Sequence, residues 1–229
     1  MLNSSLHQTP SGLSLICSVP EGITIKPSES ESESGQGGYG IFTRVGYKKG
    51  DIIYTGEYHS YEHSGGTTDV NVTVDTDIGV FPMTLHGHAV KTHNISATTT
   101  NWRIYTFDSF INHSCEANTT DIDSPQFSCG TGGKFSKVAS ADIAAGEELT
   151  SDYDLFIYSY AGIRHCQCGT RRCRGYSYGF KHYPDALRSQ VLHLVDPCVL
   201  AEWYNDQSST STSTSTSTNT STLPVVINN

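Results

Sequence analysis

The sequence predicts a mostly β (α+β) fold that closes on one C-terminal helix. Three observations point there. Ile41 to Val45, Asp51 to Tyr58 and Lys134 to Ala139 are short stretches bounded by Gly or polar turns. Val70, Val72 and Val74 alternate with polar residues, the period of a half-buried strand. Gly is abundant, 21 of 229 residues, which suits many tight turns. The helix begins near Pro184, an allowed first-turn proline. Leu187, Val191, Leu194 and Val195 then recur at helical spacing.

The ends read differently. Residues 1–36 are rich in Ser, Pro and Glu, and the alternating Ser28-to-Ser34 run cannot bury apolar surface, so the segment reads as disordered. Residues 206–229 open on alternating Ser and Thr and read as a disordered tail. Both ends are therefore expected to be dispensable. Lys and Arg total 14 against 23 Asp and Glu, a net charge of −9. Direct nucleic-acid binding needs clustered cations and is not expected; a basic protein partner is compatible. No apolar run is long enough to span a bilayer. No Lys or Arg precedes the short apolar run Leu13 to Val19, so the expectation is an intracellular chain, nuclear or cytoplasmic, with no membrane partner.

Two loop motifs fail on context. Gly35 to Gly40 fits G-x-G-x-x-G, but an acidic run precedes it and β-prone Ile41-Phe42-Thr43 follows. A dinucleotide site needs a strand before and a helix after. Gly130 to Lys134 lacks the Ser or Thr that would hold magnesium, since Phe135 stands there. The cysteines are more informative. Cys166, Cys168 and Cys173 give C-x-C-x4-C, three soft ligands within eight residues. Structural zinc wants four. Cys115 is the best candidate for the vacancy, with His113, His165 and His182 as rivals. Cys17, Cys129 and Cys198 read as small hydrophobes.

Phe110 to Asn118 packs amide, imidazole, hydroxyl and thiol between apolar anchors. Gly146 to Tyr153 follows a Gly turn and ends Glu148-Leu149-Thr150-Ser151-Asp152-Tyr153. With Gly38-Tyr39-Gly40 and Tyr54-Thr55-Gly56-Glu57 before them, these segments stand in the order of the SET-domain protein-lysine methyltransferases, which the chain resembles over about residues 37–181. Cys166 to Gly175 is similar to the post-SET zinc motif of that family.

The resemblance implies a SET-type fold of short twisted sheets in which the Asn-His segment and the Glu-Leu-Thr-x-Asp-Tyr segment meet in a knot-like crossing. It implies S-adenosylmethionine as methyl donor in a pocket on one face, and a narrow channel for lysine from the other. Gly38, Tyr39 and Gly40 would contact the cofactor through backbone groups, and Asn112 and His113 would also hold it. Tyr153 would be catalytic. Cys115, Cys166, Cys168 and Cys173 would bind one structural zinc. The implied division is a SET domain over 37–158, a post-SET zinc segment over 162–181 and a C-terminal helix over 182–205. The partner would be a protein or peptide bearing lysine. Four positions depart from the family: Tyr39 replaces Trp, Ser109 replaces Arg, Ala117 replaces Pro and Ser151 replaces an aromatic.

The chemistry explains the residue types. Methyl transfer from a sulfonium needs a neutral amine, and free lysine has a pKa of about 10.4, so deprotonation near pH 7.4 costs about 4 kcal/mol. A neighbouring cation and a dehydrated channel both lower that pKa. What remains is alignment, for which a rigid neutral phenol is suited. Phe156, Tyr158, Tyr176, Tyr178 and Phe180 are candidate wall residues. Two alternatives stand beside this reading: a SET fold that has lost catalysis and only binds a partner, and a methyltransferase of small amines.

Overall fold

The computed structural model describes residues 4–31, 37–64, 69–94, 99–123, 133–159 and 162–212. Three sheets carry the fold. The first, in the order β1-β2-β6-β7, joins β1 (Ser5–Thr9), β2 (Gly12–Ile16), β6 (Asn71–Thr76) and β7 (Gly79–Thr84). The second, in the order β10-β13-β4-β3, joins β10 (Asn112–His113), β13 (Glu148–Ser151), β4 (Gly37–Thr43) and β3 (Ile23–Glu31). The third, in the order β11-β12-β5-β9-β8, joins β11 (Thr119–Asp123), β12 (Gly133–Ala139), β5 (Ile52–His63), β9 (Thr100–Tyr105) and β8 (Val90–Asn94). A single helical turn, α1 (Leu85–His88), follows β7. The strands expected near Ile41, Asp51, Val70 and Lys134 all form.

The first 36 residues are not the disordered segment expected. They supply β1, β2 and β3. The average composition hid a period of two: Leu13, Leu15, Cys17 and Val19 are all buried and alternate with Ser14, the exposed Ile16 and Ser18. In parallel register β2 sets Leu13 opposite Val72 and Leu15 opposite Val74. Ile23 and Ile25 of β3 are buried likewise, with Ile25 opposite Ile41 of β4. Residues 32–36 lie outside those described. Cys17 is a buried free thiol, whereas Cys198 is disulfide-bonded, not the small hydrophobe expected; Cys129 is also outside the described residues.

The single C-terminal helix over 182–205 is instead two, α2 (Asp185–Val191) and α3 (Pro197–Thr212), with a 3-10 turn Leu192–Leu194 between them. Asp196 causes the break. Its amide donates to the Leu155 carbonyl at 2.9 Å, and its carboxylate accepts from the amides of Cys198 at 2.7 Å and Val199 at 3.3 Å. It thus caps α3, with Pro197 at the tolerated first position. The helix runs past the expected tail boundary at 206, and residues 213–229 are outside those described.

Two hydrophobic clusters result. The larger binds the three sheets and includes Leu15, Ile41, Ile104 and Leu149, all fully buried. The smaller packs the C-terminal helices under the segment after β13, through Leu155, Tyr158, Phe180, Tyr183, Val195 and Val199. Between them lies the crossing. β10 runs parallel to β13, Asn112 opposite Thr150 and His113 opposite Ser151. Asn118 stitches the two segments: its Nδ2 donates to the Glu148 carbonyl at 2.8 Å and its Oδ1 accepts from the Thr150 amide at 2.8 Å. These contacts position Asn112, His113 and Tyr153.

Candidate active site and thiolate cluster

Tyr153 opens a 3-10 turn, Tyr153–Leu155, directly after β13. Its amide donates to His113 Nδ1 at 3.2 Å, and its hydroxyl donates to the Ile111 carbonyl at 2.6 Å. Both ends of the tyrosine are therefore fixed to residues 111–113. Burial raises its pKa, and the Asp108 and Glu148 carboxylates raise it further, so the phenol stays neutral. His113 is neutral too. Burial first, then the Arg174 charge, lowers its pKa to about 4. With Nδ1 accepting, the proton belongs on Nε2, which lies 3.3 Å from Cys115 Sγ.

On one side of this crossing, Asn112 Nδ2 donates to the Tyr39 carbonyl at 3.2 Å and to Glu148 Oε1 at 2.6 Å. Ser28 donates to both oxygens of the same carboxylate. A Cβ on Gly40 would press into the Glu148 carboxylate, which Asn112 and Ser28 hold. A Cβ on Gly38 would meet nothing within 4 Å. Asn112 thus meets the chain at Tyr39 and Gly40.

On the other side lies a cavity of about 600 Å³, whose wall includes Tyr153, Ile111, Ser109, Ser151, Lys137 and Phe156. Asp69, His86, His88, Thr100 and Trp102 face them. None of Gly38, Tyr39, Gly40, Asn112 and His113 lines it. Its volume is that of a small-molecule site. Ser109 and Ser151, two of the departures from the family, are part of its wall. Of the candidate wall residues only Phe156 lines it. Tyr158 and Phe180 belong to the C-terminal cluster, and Tyr176 stacks on Tyr178 at 4.9 Å.

Sequence reasoning missed the charges at this wall. Lys137, 1% exposed, sets its ammonium 2.6 Å from Asp121 and 3.3 Å from Asp108, and 3.2 Å from Ser151 Oγ. The Tyr54 hydroxyl donates to Asp108. A signal existed. Phe135, Lys137 and Ala139 alternate in β12, which places the lysine on the inward face.

The four cysteines Cys115, Cys166, Cys168 and Cys173 converge, with all four sulfurs within 4.8 Å of one another. Cys115 and Cys166 Sγ are 3.7 Å apart. A tetrahedral zinc with Zn–S of about 2.3 Å requires roughly 3.8 Å. His113, His165 and His182 are not in the group. The amides of Arg174 and Gly175 donate to Cys115 Sγ at 3.3 Å and Cys173 Sγ at 3.4 Å, the outer-shell bonds that thiolate ligands use. Burial pushes the Cys115 thiol up and Cys166 to about 11. Burial also raises Cys168, but the Thr170 hydroxyl and nearby amides outweigh it and lower the thiol to about 6. The donor set fits zinc.

The SET domain pattern matches residues 38–154. The chain belongs to the SET-domain family. Its match ends one residue past Tyr153 and leaves out the cysteine cluster from Cys166 onward. Among curated proteins, the SET chain is 30% identical over 173 residues to the histone-lysine N-methyltransferase ATX2 of Arabidopsis thaliana, covering 75% of this chain and 14% of that one. It is 31% identical over 165 residues to ASHH2 of the same plant, covering 70% and 8%. Histone-lysine N-methyltransferase ash1 of Drosophila melanogaster matches over 66 residues at 35%, covering 29% and 3%. The chain therefore spans a seventh or less of these relatives. No helix among the described residues is long and apolar enough to cross a membrane.

Proposed function

We propose that the chain is a protein-lysine N-methyltransferase that takes its methyl group from S-adenosylmethionine. The arrangement of Tyr153 carries this reading. Its hydroxyl donates to a fixed carbonyl, so the oxygen lone pairs are left to accept from an amine N–H in a set direction. It lines the cavity, while its amide is tied to His113 on the motif side.

The residues on that motif side fit the cofactor. The open space at Gly38 leaves backbone free to approach its amino-acid portion, with Tyr39 and Gly40, and Asn112 and His113 complete the set. When bound, the sulfonium supplies the methyl group and a cation that lowers the pKa of a nearby amine. The chain's own residues do the rest. Trp102, Tyr105 and Phe156 present aromatic surface that excludes water and suits an ammonium. Tyr153 fixes the amine's direction, where most of the acceleration arises. Cys115, Cys166, Cys168 and Cys173 would hold one zinc and fasten the C-terminal segment to the site.

The acceptor proposed is a lysine in a protein or peptide, with a basic histone tail the first candidate because the matched relatives are named histone-lysine methyltransferases. A histone acceptor would imply a nuclear site of action. The test is incubation with labelled S-adenosylmethionine on an array of lysine peptides, beside free small amines. Label on peptides that disappears when lysine becomes arginine is expected. Label on the free amines alone, or on nothing, would reject the reading.

A further inference from the structure

The Cys166–Gly175 segment brings more than sulfur to the site. Arg174 lies beside Cys173, and its side chain is 5% exposed. Its guanidinium spans the two acids that flank Tyr153. One arm donates to Asp152 Oδ2 at 2.8 Å. The other donates to Asp152 Oδ1 at 2.6 Å and to Asp154 Oδ2 at 2.9 Å. Its plane lies over the Tyr183 ring, 4.7 Å from the centroid. Its own amide is bonded to Cys115 Sγ at 3.3 Å.

The partners are themselves fixed. Asp154 Oδ1 accepts from the Ser177 hydroxyl at 2.6 Å and the Gly179 amide at 2.7 Å. Asp152 Oδ1 accepts from the Asp154 amide at 3.2 Å. The turn bearing Tyr153 is thus gripped by a planar fork, anchored in the segment that carries three of the four thiolates. Arginine is suited to this, because its rigid planar fork takes both oxygens of Asp152 and reaches Asp154 in one fixed geometry, which a lysine's rotatable point charge does not impose.

We propose that Arg174 is a positioning residue for Tyr153: by clamping Asp152 and Asp154 it holds the phenol in the direction that methyl transfer requires. The proposal rests on the reading of Tyr153 as the aligning group. Displacements near an ångström at an aligned centre cost on the order of 100-fold in rate. Arg174 therefore acts on turnover through the phenol, not on substrate contact.

The experiment compares full-length wild type, Arg174→Ala, Arg174→Lys, Tyr153→Phe and the Arg174→Ala/Tyr153→Phe double variant. Turnover with S-adenosylmethionine on the best array peptide is expressed per folded, zinc-loaded chain, with zinc measured by elemental analysis. Arg174→Ala is expected to lose about 10- to 100-fold in kcat, with the peptide KM changed less than about threefold. Arg174→Lys should fall between, since a cation remains without the fork. The decisive arm is the double variant. If the clamp works through the phenol, Arg174→Ala should slow the Tyr153→Phe enzyme less than about twofold further. A second readout needs no turnover: the ring carbon signal of Tyr153 in tyrosine-labelled protein should shift or broaden in Arg174→Ala. Unchanged kcat per zinc-loaded chain, additive losses in the double variant, or an unmoved Tyr153 signal would each overturn the proposal. If Tyr153→Phe itself turns over like wild type, the reading of Tyr153 falls and this one with it. If only the Arg174 arms fail, the function proposed above stands.

Discussion

At the scale of single residues, the site depends on polar groups taken out of water in matched sets. Lys137, Asp108 and Asp121 illustrate it. One ammonium offsets two carboxylates, each under a tenth exposed. Such a set is weak evidence of net stability, because desolvation consumes much of the attraction. Breaking it is another matter. Lys137→Met keeps the length and fills the space, yet leaves two carboxylates side by side. It should destabilise the fold by about 3–5 kcal/mol, read from urea unfolding at neutral pH. A change under about 1 kcal/mol would mean the two acids are satisfied without it. The strand period made Lys137 legible as inward-facing, but not its partners. Asp108 and Asp121 sit on a 3-10 turn and on β11, and only the tertiary fold brings them to one lysine. Arg174 hid for the same reason. Asn112, His113, Asn118 and Thr150 differ, because many of their contacts are made between two short segments that the sequence shows as dense motifs.

At the scale of elements, the strands of the central sheet followed from their Gly-bounded patterns, while the N-terminal strands were masked by Ser and Glu around them. β1 and β2 complete a sheet on β6, and the contact is apolar: Leu13 and Leu15 meet Val72 and Val74. Fully burying one leucine is worth about 1.5–3 kcal/mol. A chain trimmed to begin at Glu21 loses both leucines with Cys17 and Val19 and uncovers two valines. It should therefore lose most of its stability, seen as a melting temperature at least about 10 °C lower or as failure to stay soluble. Unchanged melting would show that the first sheet is an accessory. The C-terminal break was hidden by the apolar spacing from Leu187 to Val195, which runs on without interruption, although Asp196-Pro197 is a helix-start pair. Asp196 decided it. The same side chain that caps α3 also bonds Arg103 of β9 at 2.7 Å, so the helix direction is set by a buried cation in the central sheet.

At the scale of the whole molecule, two connections converge on one tyrosine. The paired strands β10 and β13 fix Tyr153 from the motif side, and the C-terminal segment reaches it through the cysteine cluster and Arg174. Cys115 and Cys166 are 51 residues apart in the chain and 3.7 Å apart in space. The cluster was legible from ligand spacing and from the resemblance together. The cavity was not, because Trp102 of β9, Lys137 of β12 and Tyr153 come to it from separate elements that only the tertiary fold joins. The measurement that bears most directly on the proposed function is the turnover of Tyr153→Phe on the best array peptide, paired with cofactor affinity by calorimetry. The ring still fills its space, so the fold and the affinity for S-adenosylmethionine should stay within about twofold of wild type, while loss of one oriented hydroxyl should slow turnover about 30- to 1000-fold. Turnover equal to wild type would make Tyr153 a core tyrosine and contradict the catalytic assignment.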